Sequence, residues 1–265
     1  MPRATAKPTP PAELPLDVRL MTGVASGVFV LAALALVAAG VLWLTRAPLF
    51  TIHAIQLDGD LARNNVNTIR ANAMPLLKGN FFSVNLQKGR AAFEAVPWVR
   101  QAVVRRIWPN RLAVRLEEHR AVALWQGDDG NDKLVNSFGE VFEANVGDVE
   151  DDGLPSFAGP ADSSVQMLAM YRRLQPVLQG LEMEIDTLHL SGRGSWRVDL
   201  DSGAVVELGR GSEAEVLART ERFVRTLAQV TGRYRQPLQY ADLRHADGYA
   251  VRLRGVTTTG AKTLN

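Results

Sequence analysis

Residues 96–114 read Val96-Pro97-Trp98-Val99-Arg100-Gln101-Ala102-Val103-Val104-Arg105-Arg106-Ile107-Trp108-Pro109-Asn110-Arg111-Leu112-Ala113-Val114. Pro97 ends whatever helix precedes it, and Trp98 to Ile107 is rich in residues that favour an extended chain. Trp108-Pro109-Asn110 then marks a tight turn, because proline presets φ. Beyond the turn Leu112, Val114 and Leu116 alternate with Arg111, Arg115 and Glu117. Such alternation makes a half-buried strand with a charged outer face. The stretch predicts a strand–turn–strand unit.

Upstream, Val66, Ile69, Ala73 and Leu76 recur at helical spacing, with Pro75 near the end of the run. Leu86, Phe93 and Val96 predict a second short helix, with Asn85 as N-cap. Before both, Phe50 to Leu57 reads as a strand that stops at the turn pair Asp58-Gly59. The order is therefore βααββ.

Further upstream, Leu20 to Thr45 is a run of 26 residues without a charge, closed by Arg19 and Arg46. As a helix it reaches roughly 39 Å, enough to cross a hydrocarbon core of about 30 Å with tilt. Val37-Ala38-Ala39 resembles a processing site. The apolar run, however, exceeds the usual h-region and continues through Trp43, so an uncleaved anchor is expected. Arg3, Lys7 and Arg19 precede it and only Arg46 closely follows, which places the N-terminus in the cytoplasm. The proline-rich tail is expected to be disordered. Gly23 and Gly27 form a small-xxx-small pair, a pattern common in spans whether or not they dimerise.

Charge divides the chain beyond the span. Residues 46–118 hold 11 Lys+Arg against 5 Asp+Glu, and residues 119–265 hold 16 against 21. The reversal predicts a domain boundary. Given that orientation, the basic region meets no nucleic acid; facing the anionic membrane and cell-wall polymers is a more economical explanation, and a merely solvated surface is the preferred reading. The absence of cysteine excludes disulfides, thiolate catalysis and Cys-ligated zinc, and His53, His119, His189 and His245 make no short metal motif.

The second region reads as mostly β with two helices. Ala121 to Gln126, Leu134 to Val135 and Val141 to Phe142 are expected strands, and residues 128–152, with nine acidic side chains, a solvated loop-rich surface. Val165 to Gln179 is an expected helix closed by Gly180. Ile185 to Leu190 is a strand, and Trp196 to Leu200 with Ala204 to Leu208 a hairpin around Asp201-Ser202-Gly203. Ser212 and Glu215 form a capping box ahead of Val216, Thr220, Phe223, Leu227 and Val230, which line one helical face. Tyr240 to His245 and Tyr249 to Arg254 form the last hairpin, around Asp247-Gly248.

Gly209-Arg210-Gly211-Ser212-Glu213-Ala214 matches the dinucleotide fingerprint G-x-G-x-x-G/A. The strand before it leaves a hairpin, and no second parallel strand with a terminal acid is expected about 20 residues on. A strand-to-helix turn capped by Ser212 is the preferred reading. G-x-S-x-G, H-E-x-x-H and P-loop motifs are absent, and no enzyme is expected.

Interaction remains. In the last strand Tyr249, Val251 and Leu253 should face the core, and Ala250, Arg252 and Arg254 solvent. If this strand ends its sheet, its edge presents unpaired N–H and C=O groups, a template for another strand. Arg252 and Arg254 fit two readings equally, a charged guard against aggregation or selection of an acidic partner.

The 96–114 stretch resembles the polypeptide-transport-associated (POTRA) domain of the FtsQ/DivIB family of bacterial cell-division proteins. The βααββ order straight after a signal anchor agrees. His119-Arg120-Ala121 departs from it, since relatives often place a proline before the alanine. Tyr240-Ala241-Asp242-Leu243-Arg244-His245-Ala246-Asp247-Gly248-Tyr249-Ala250-Val251 resembles the end of the family's β domain. The resemblance implies an α+β fold: tail 1–19, transmembrane helix 20–45, POTRA domain 46–119, a mostly antiparallel β domain 120–256 with two helices, and a loose tail 257–265. It implies a non-catalytic divisome scaffold, single-pass in the inner membrane with periplasmic domains, which docks the FtsB–FtsL complex by strand addition at the septum. Arg244, His245, Ala246, Asp247, Gly248, Tyr249, Ala250, Val251 and Arg252 would form that site, with Arg193 as a second arginine. His245 stands where relatives commonly have tyrosine. FtsK, FtsW, FtsI and FtsN are further implied partners; no cofactor or metal is. Two rivals are an outer-membrane assembly or secretion factor and a membrane-tethered dinucleotide enzyme.

Overall fold

The computed structural model describes residues 16–256 apart from 60–61, 64–68, 70, 72–74, 76, 78, 128–129, 235 and 246–247. Helix α1, Leu16–Arg46, holds the apolar run, long and apolar enough to cross a membrane, and its apolar stretch is not buried against the rest of the described chain. Packing divides the chain into two compact units. One comprises residues 1–59, 70–93 and 102–115, the other 60–69, 94–101 and 116–265.

In the first unit the chain leaves α1 through successive turns. Ala47 N–H donates to the Leu44 carbonyl (3.1 Å), Phe50 N–H to Ala47 (3.1 Å) and Thr51 N–H to Pro48 (3.2 Å). The strand expected from Phe50 begins later, as β1, Ala54–Gly59. Pro48–Phe50 instead forms a 3-10 turn, because proline sits well at a helical start and Phe50 is drawn under neighbouring rings. Of the first predicted helix, Val66, Ala73 and Leu76 lie outside the described residues, while Ile69 is fully buried. The second is α2, Leu86–Glu94, where the Asn85 side chain accepts from Lys88 N–H at 3.0 Å as the cap. Strands β2, Val99–Ile107, and β3, Arg111–Glu118, follow, in the sheet order β1-β3-β2. Leu112, Val114 and Leu116 are all buried, as their alternation requires.

Among its described residues the second unit has nine strands. They are β4 Ala121–Trp125, β5 Lys133–Asn136, β6 Val141–Phe142, β7 Ser156–Ala158, β8 Ile185–Leu190, β9 Trp196–Leu200, β10 Val205–Gly209, β11 Leu238–Asp242 and β12 Ala250–Leu253. Their order is β12-β11-β10-β9-β8-β7-β4-β5-β6. Five neighbouring pairs are antiparallel, and β10–β11, β7–β8 and β4–β7 are parallel. Helices α3, Ser164–Gln179, and α4, Glu213–Tyr234, share one core with the sheet, joining Met167, Leu174, Val216 and Phe223 to Val198 and Val206.

Three expectations need correction. First, β7 was not foreseen: three residues between Pro155 and Gly159 are too few to show a period. Their partners, β4 and β8, lie about 30 residues away on either side. Second, residues 128–152 are less loose than their charge implied. The expected strands form within them as β5 and β6, and the part read as loop includes a 3-10 turn, Val146–Asp152, whose Val149 is buried. Third, Trp98 is not extended. It takes φ 71°, an uncommon left-handed conformation for a large side chain, and is 4% exposed. It packs with Leu134, Phe142 and Val149, donates its indole N–H to Asp148 (3.0 Å) and lies under the Arg63 guanidinium at 4.9 Å. Trp98→Ala should therefore destabilise the protein by about 3–5 kcal/mol, as for a buried aromatic, in urea unfolding of the detergent-solubilised chain.

Candidate functional site

The candidate site begins at the border of the nine-stranded sheet. β12 pairs antiparallel with β11, in the register Tyr240↔Arg252, Ala241↔Val251 and Asp242↔Ala250, and among the described residues no strand lies on its other side. Leu253 is buried, Val251 and Tyr249 half-buried, and Ala250, Arg252 and Arg254 exposed, as the alternation predicts. Tyr249 fastens the start of β12 to α4. Its ring meets Phe223 edge-on at 5.1 Å, and its hydroxyl lies 2.6 Å from that of Thr226. Since the Thr226 hydroxyl donates to the Arg222 carbonyl (2.9 Å), the tyrosine is the donor. The strand is thus held at one end of the helix–sheet core while its outer backbone stays available.

Arg244 follows β11. Its Nε and one terminal nitrogen donate to the two oxygens of Asp242 at 2.8 and 2.6 Å, and its backbone N–H donates to the same carboxylate at 3.0 Å. This fork holds Asp242 far below the usual carboxylate range, at about 2, chiefly through the Arg244 side chain. Asp242 also holds the guanidinium charge firmly, pushing Arg244 upward. Gly209, at φ 79°, lies under Arg244, and a Cβ there would come within 2.8 Å of Arg244 Cγ. Asp242 and Gly209 thus orient the arginine. The first was readable as an Asp-x-Arg pair; the second shows no local signal.

The face of the sheet away from the helices is a charged lattice. Glu207 stands opposite Arg197 on one side and Asp242 on the other. Two carboxylates facing each other repel, and the flanking Arg197 and Arg244 offset this. Arg197 in turn forks onto Asp199 at 2.8 and 2.9 Å, with His189 Nε2 on the same carboxylate at 3.1 Å. His189, Ser191, Ser195, Arg197 and Glu207 line a shallow hollow here.

Arg193 sits exposed in the 191–195 turn between β8 and β9, closed by Ser191 N–H to the Ser195 carbonyl at 2.9 Å. The registers Leu190↔Trp196, Gly209↔Trp196 and Glu207↔Asp242 put that turn at the same end of the sheet as Arg244. They lie roughly 10–14 Å apart by strand spacing, near but not bonded. His245 is exposed beside Asp242, Gly248 is half-buried, and Ala246 and Asp247 lie outside the described residues.

One step of the motif reading needs revision. β11 is parallel to β10 across α4 and ends at Asp242, so a parallel strand does follow, but its acid stands 31 residues past Gly211 and not at the fingerprint's spacing of about 20. The strand pairing was hidden because a 22-residue helix lies between. The phosphate cradle is nevertheless filled from within. Glu215 accepts from Ser212 N–H at 2.7 Å, placing a carboxylate where a pyrophosphate would sit, and Arg244 covers Gly209.

Comparison with known proteins identifies the family. Residues 50–119 match the POTRA domain, FtsQ-type, and residues 123–244 match the cell division protein FtsQ/DivIB, C-terminal family. Cell division protein FtsQ of Thiomonas arsenitoxydans is 40% identical over 257 residues, covering 96% of this chain and 94% of the relative. The Burkholderia pseudomallei protein of the same name is 42% identical over 241 residues, 91% and 94% of the two chains. That of Neisseria meningitidis serogroup B is 30% identical over 223 residues, 84% and 91%. The chain belongs to the FtsQ/DivIB family. It is a family of structural division proteins and not of enzymes.

The Asp242–Arg244 pair has a direct signature. A carboxyl titration by carbon NMR should show Asp242 titrating near 2, and Arg244→Gln should return it toward its ordinary 3.8. Because the folded value is depressed, the stabilising contribution of the pair is complete above the ordinary range and lost as pH falls through about 2.

Proposed function

We propose that this FtsQ/DivIB chain is a non-catalytic divisome scaffold that docks the FtsB–FtsL complex, with a strand of FtsB added along β12. The observation that carries the reading is the border itself: β12 is tied to α4 through Tyr249, and no described strand covers its outer side. Backbone pairing at that edge supplies affinity with little demand on sequence. Selectivity comes from Arg244 and Arg252, with Arg193 at the same end of the sheet. Asp242 already engages Arg244, so a partner carboxylate meets a guanidinium that is oriented beforehand and loses little freedom on binding. By the same reading the POTRA domain, residues 46–119, serves recruitment to the septum, and the β domain, residues 120–256, serves docking. FtsK, FtsW, FtsI and FtsN join through these domains. The scaffold links early division proteins to septal peptidoglycan synthesis. Its chemistry is assembly, with no bond made or broken.

Arg244→Glu should weaken binding of an FtsB peptide by about tenfold or more, the scale of a lost charged hydrogen bond, while the domain stays folded though less stable for want of the Asp242 pair. Arg244→Gln should weaken it less. Isothermal titration checks both, and an unaltered dissociation constant in the Glu variant removes Arg244 from the site.

The chain is further read as single-pass in the inner membrane, its N-terminus cytoplasmic and both domains periplasmic. A periplasm-dependent reporter fused after Asn265 should be active and sediment with membranes. A shortened, released product would show that the apolar helix is cleaved.

A further inference from the structure

Within the first compact unit, three chain segments converge where α1 ends. The Asn80 side-chain amide donates to the Thr45 carbonyl, capping one of the carbonyls that a helix C-terminus leaves unsatisfied. The oxygen of that same amide accepts from Phe82 N–H (3.1 Å) and Ser83 N–H (2.9 Å), fixing the 80–83 turn. Phe81 N–H donates to the Phe50 carbonyl at 2.8 Å, joining that turn to the 48–50 turn. The β2–β3 turn closes the group, with His53 N–H donating to the Asn110 carbonyl at 3.1 Å. The link from the helix to this cluster has little slack.

These turns carry an aromatic cluster. Phe50 meets Phe82 and Trp108 at 5.0 and 5.4 Å between ring centres, and Phe81 meets them at 5.3 and 5.5 Å. Phe50 is buried, yet Leu49 is 73% exposed, Trp108 63% and Phe82 44%. Large apolar side chains gathered at one spot and left in water signal a binding surface. The segments that carry these rings are basic: Arg46, Arg105, Arg106 and Arg111 are all exposed. In this unit beyond the span, residues 46–59, 70–93 and 102–115 hold nine lysines and arginines against the single acid Asp58.

We propose that Leu49, Phe82 and Trp108, with the exposed arginines of the same segments, seat in the phospholipid headgroup layer of the membrane that α1 crosses. Three observations select lipid as the occupant. Leu49 lies three residues past the end of α1, so the surface starts where the hydrocarbon stops. Tryptophan favours that boundary, where its ring is apolar and its N–H remains hydrated. Exposed arginines on the segments that carry an apolar patch match an anionic lipid surface. The consequence is mechanical: a unit held both by its anchor and by a second apolar foot has a restricted tilt above the bilayer.

The proposal rests on α1 being a retained anchor, and the lack of cysteine makes both points testable in the full chain. Single variants Leu31→Cys, Phe82→Cys, Trp108→Cys and Arg115→Cys are nitroxide-labelled and reconstituted in phosphatidylethanolamine–phosphatidylglycerol vesicles. Arg115, four residues into β3 and roughly 13 Å from the turn, is the aqueous reference. Power saturation then compares collision with oxygen, which enters lipid, and with a water-soluble nickel chelate. Positions 82 and 108 should show severalfold less chelate access than 115, and 31 almost none. Chelate access at 82 and 108 equal to that at 115, with 31 still protected, overturns the headgroup contact alone. Chelate access at 31 overturns the anchor and the contact together.

Discussion

A sheet that does not close into a barrel must end, and the backbone of its last strand must find hydrogen bonds outside the sheet. In this protein that requirement falls on β12. Its inner side pairs with β11, and its apolar side chains join the core beneath α4. Among the described residues no strand pairs with its outer N–H and C=O groups. The hold of Tyr249 on α4 keeps the strand in register, so the border is a firm template and not a frayed end.

Electrostatics follows from the same geometry. The outer face of β9, β10 and β11 carries carboxylates close enough to repel, and each is matched by a neighbouring cation. Arg244 is both a member of this lattice and the last cation before the border. Its orientation depends on a carboxylate two residues earlier and on a glycine two strands from β12. Its side chain is thereby held in one orientation. The lattice and the border are adjacent parts of one surface.

Much of the architecture was legible along the chain. Helix α4 announces itself through Ser212 and Glu215, whose reciprocal bonds are made at 2.7 and 3.4 Å, and through Val216, Thr220 and Phe223, all fully buried. The β9–β10 hairpin was marked by Gly203, which takes the positive φ its turn requires, 78°. Of the candidate site, the alternation of Tyr249, Val251 and Leu253 against Arg252 correctly assigned the buried and exposed sides. Other features escaped because their cause is remote. β7 is a strand only because β4 and β8 flank it, and Trp98 turns left-handed because a pocket of Leu134, Phe142 and Val149 receives it.

The sequence by itself determined the apolar span, most of the described helices and strands, β7 apart, and which residues of their alternating faces point inward. These are local consequences of charge, periodicity and turn chemistry, written within windows of a few residues. Only the tertiary structure decided that β10 and β11 run parallel, that β12 is the border, and that Gly209 and Asp242 meet at Arg244. Pairing between distant segments is settled by which arrangement buries the most apolar surface while satisfying the backbone, and that is a property of the whole fold.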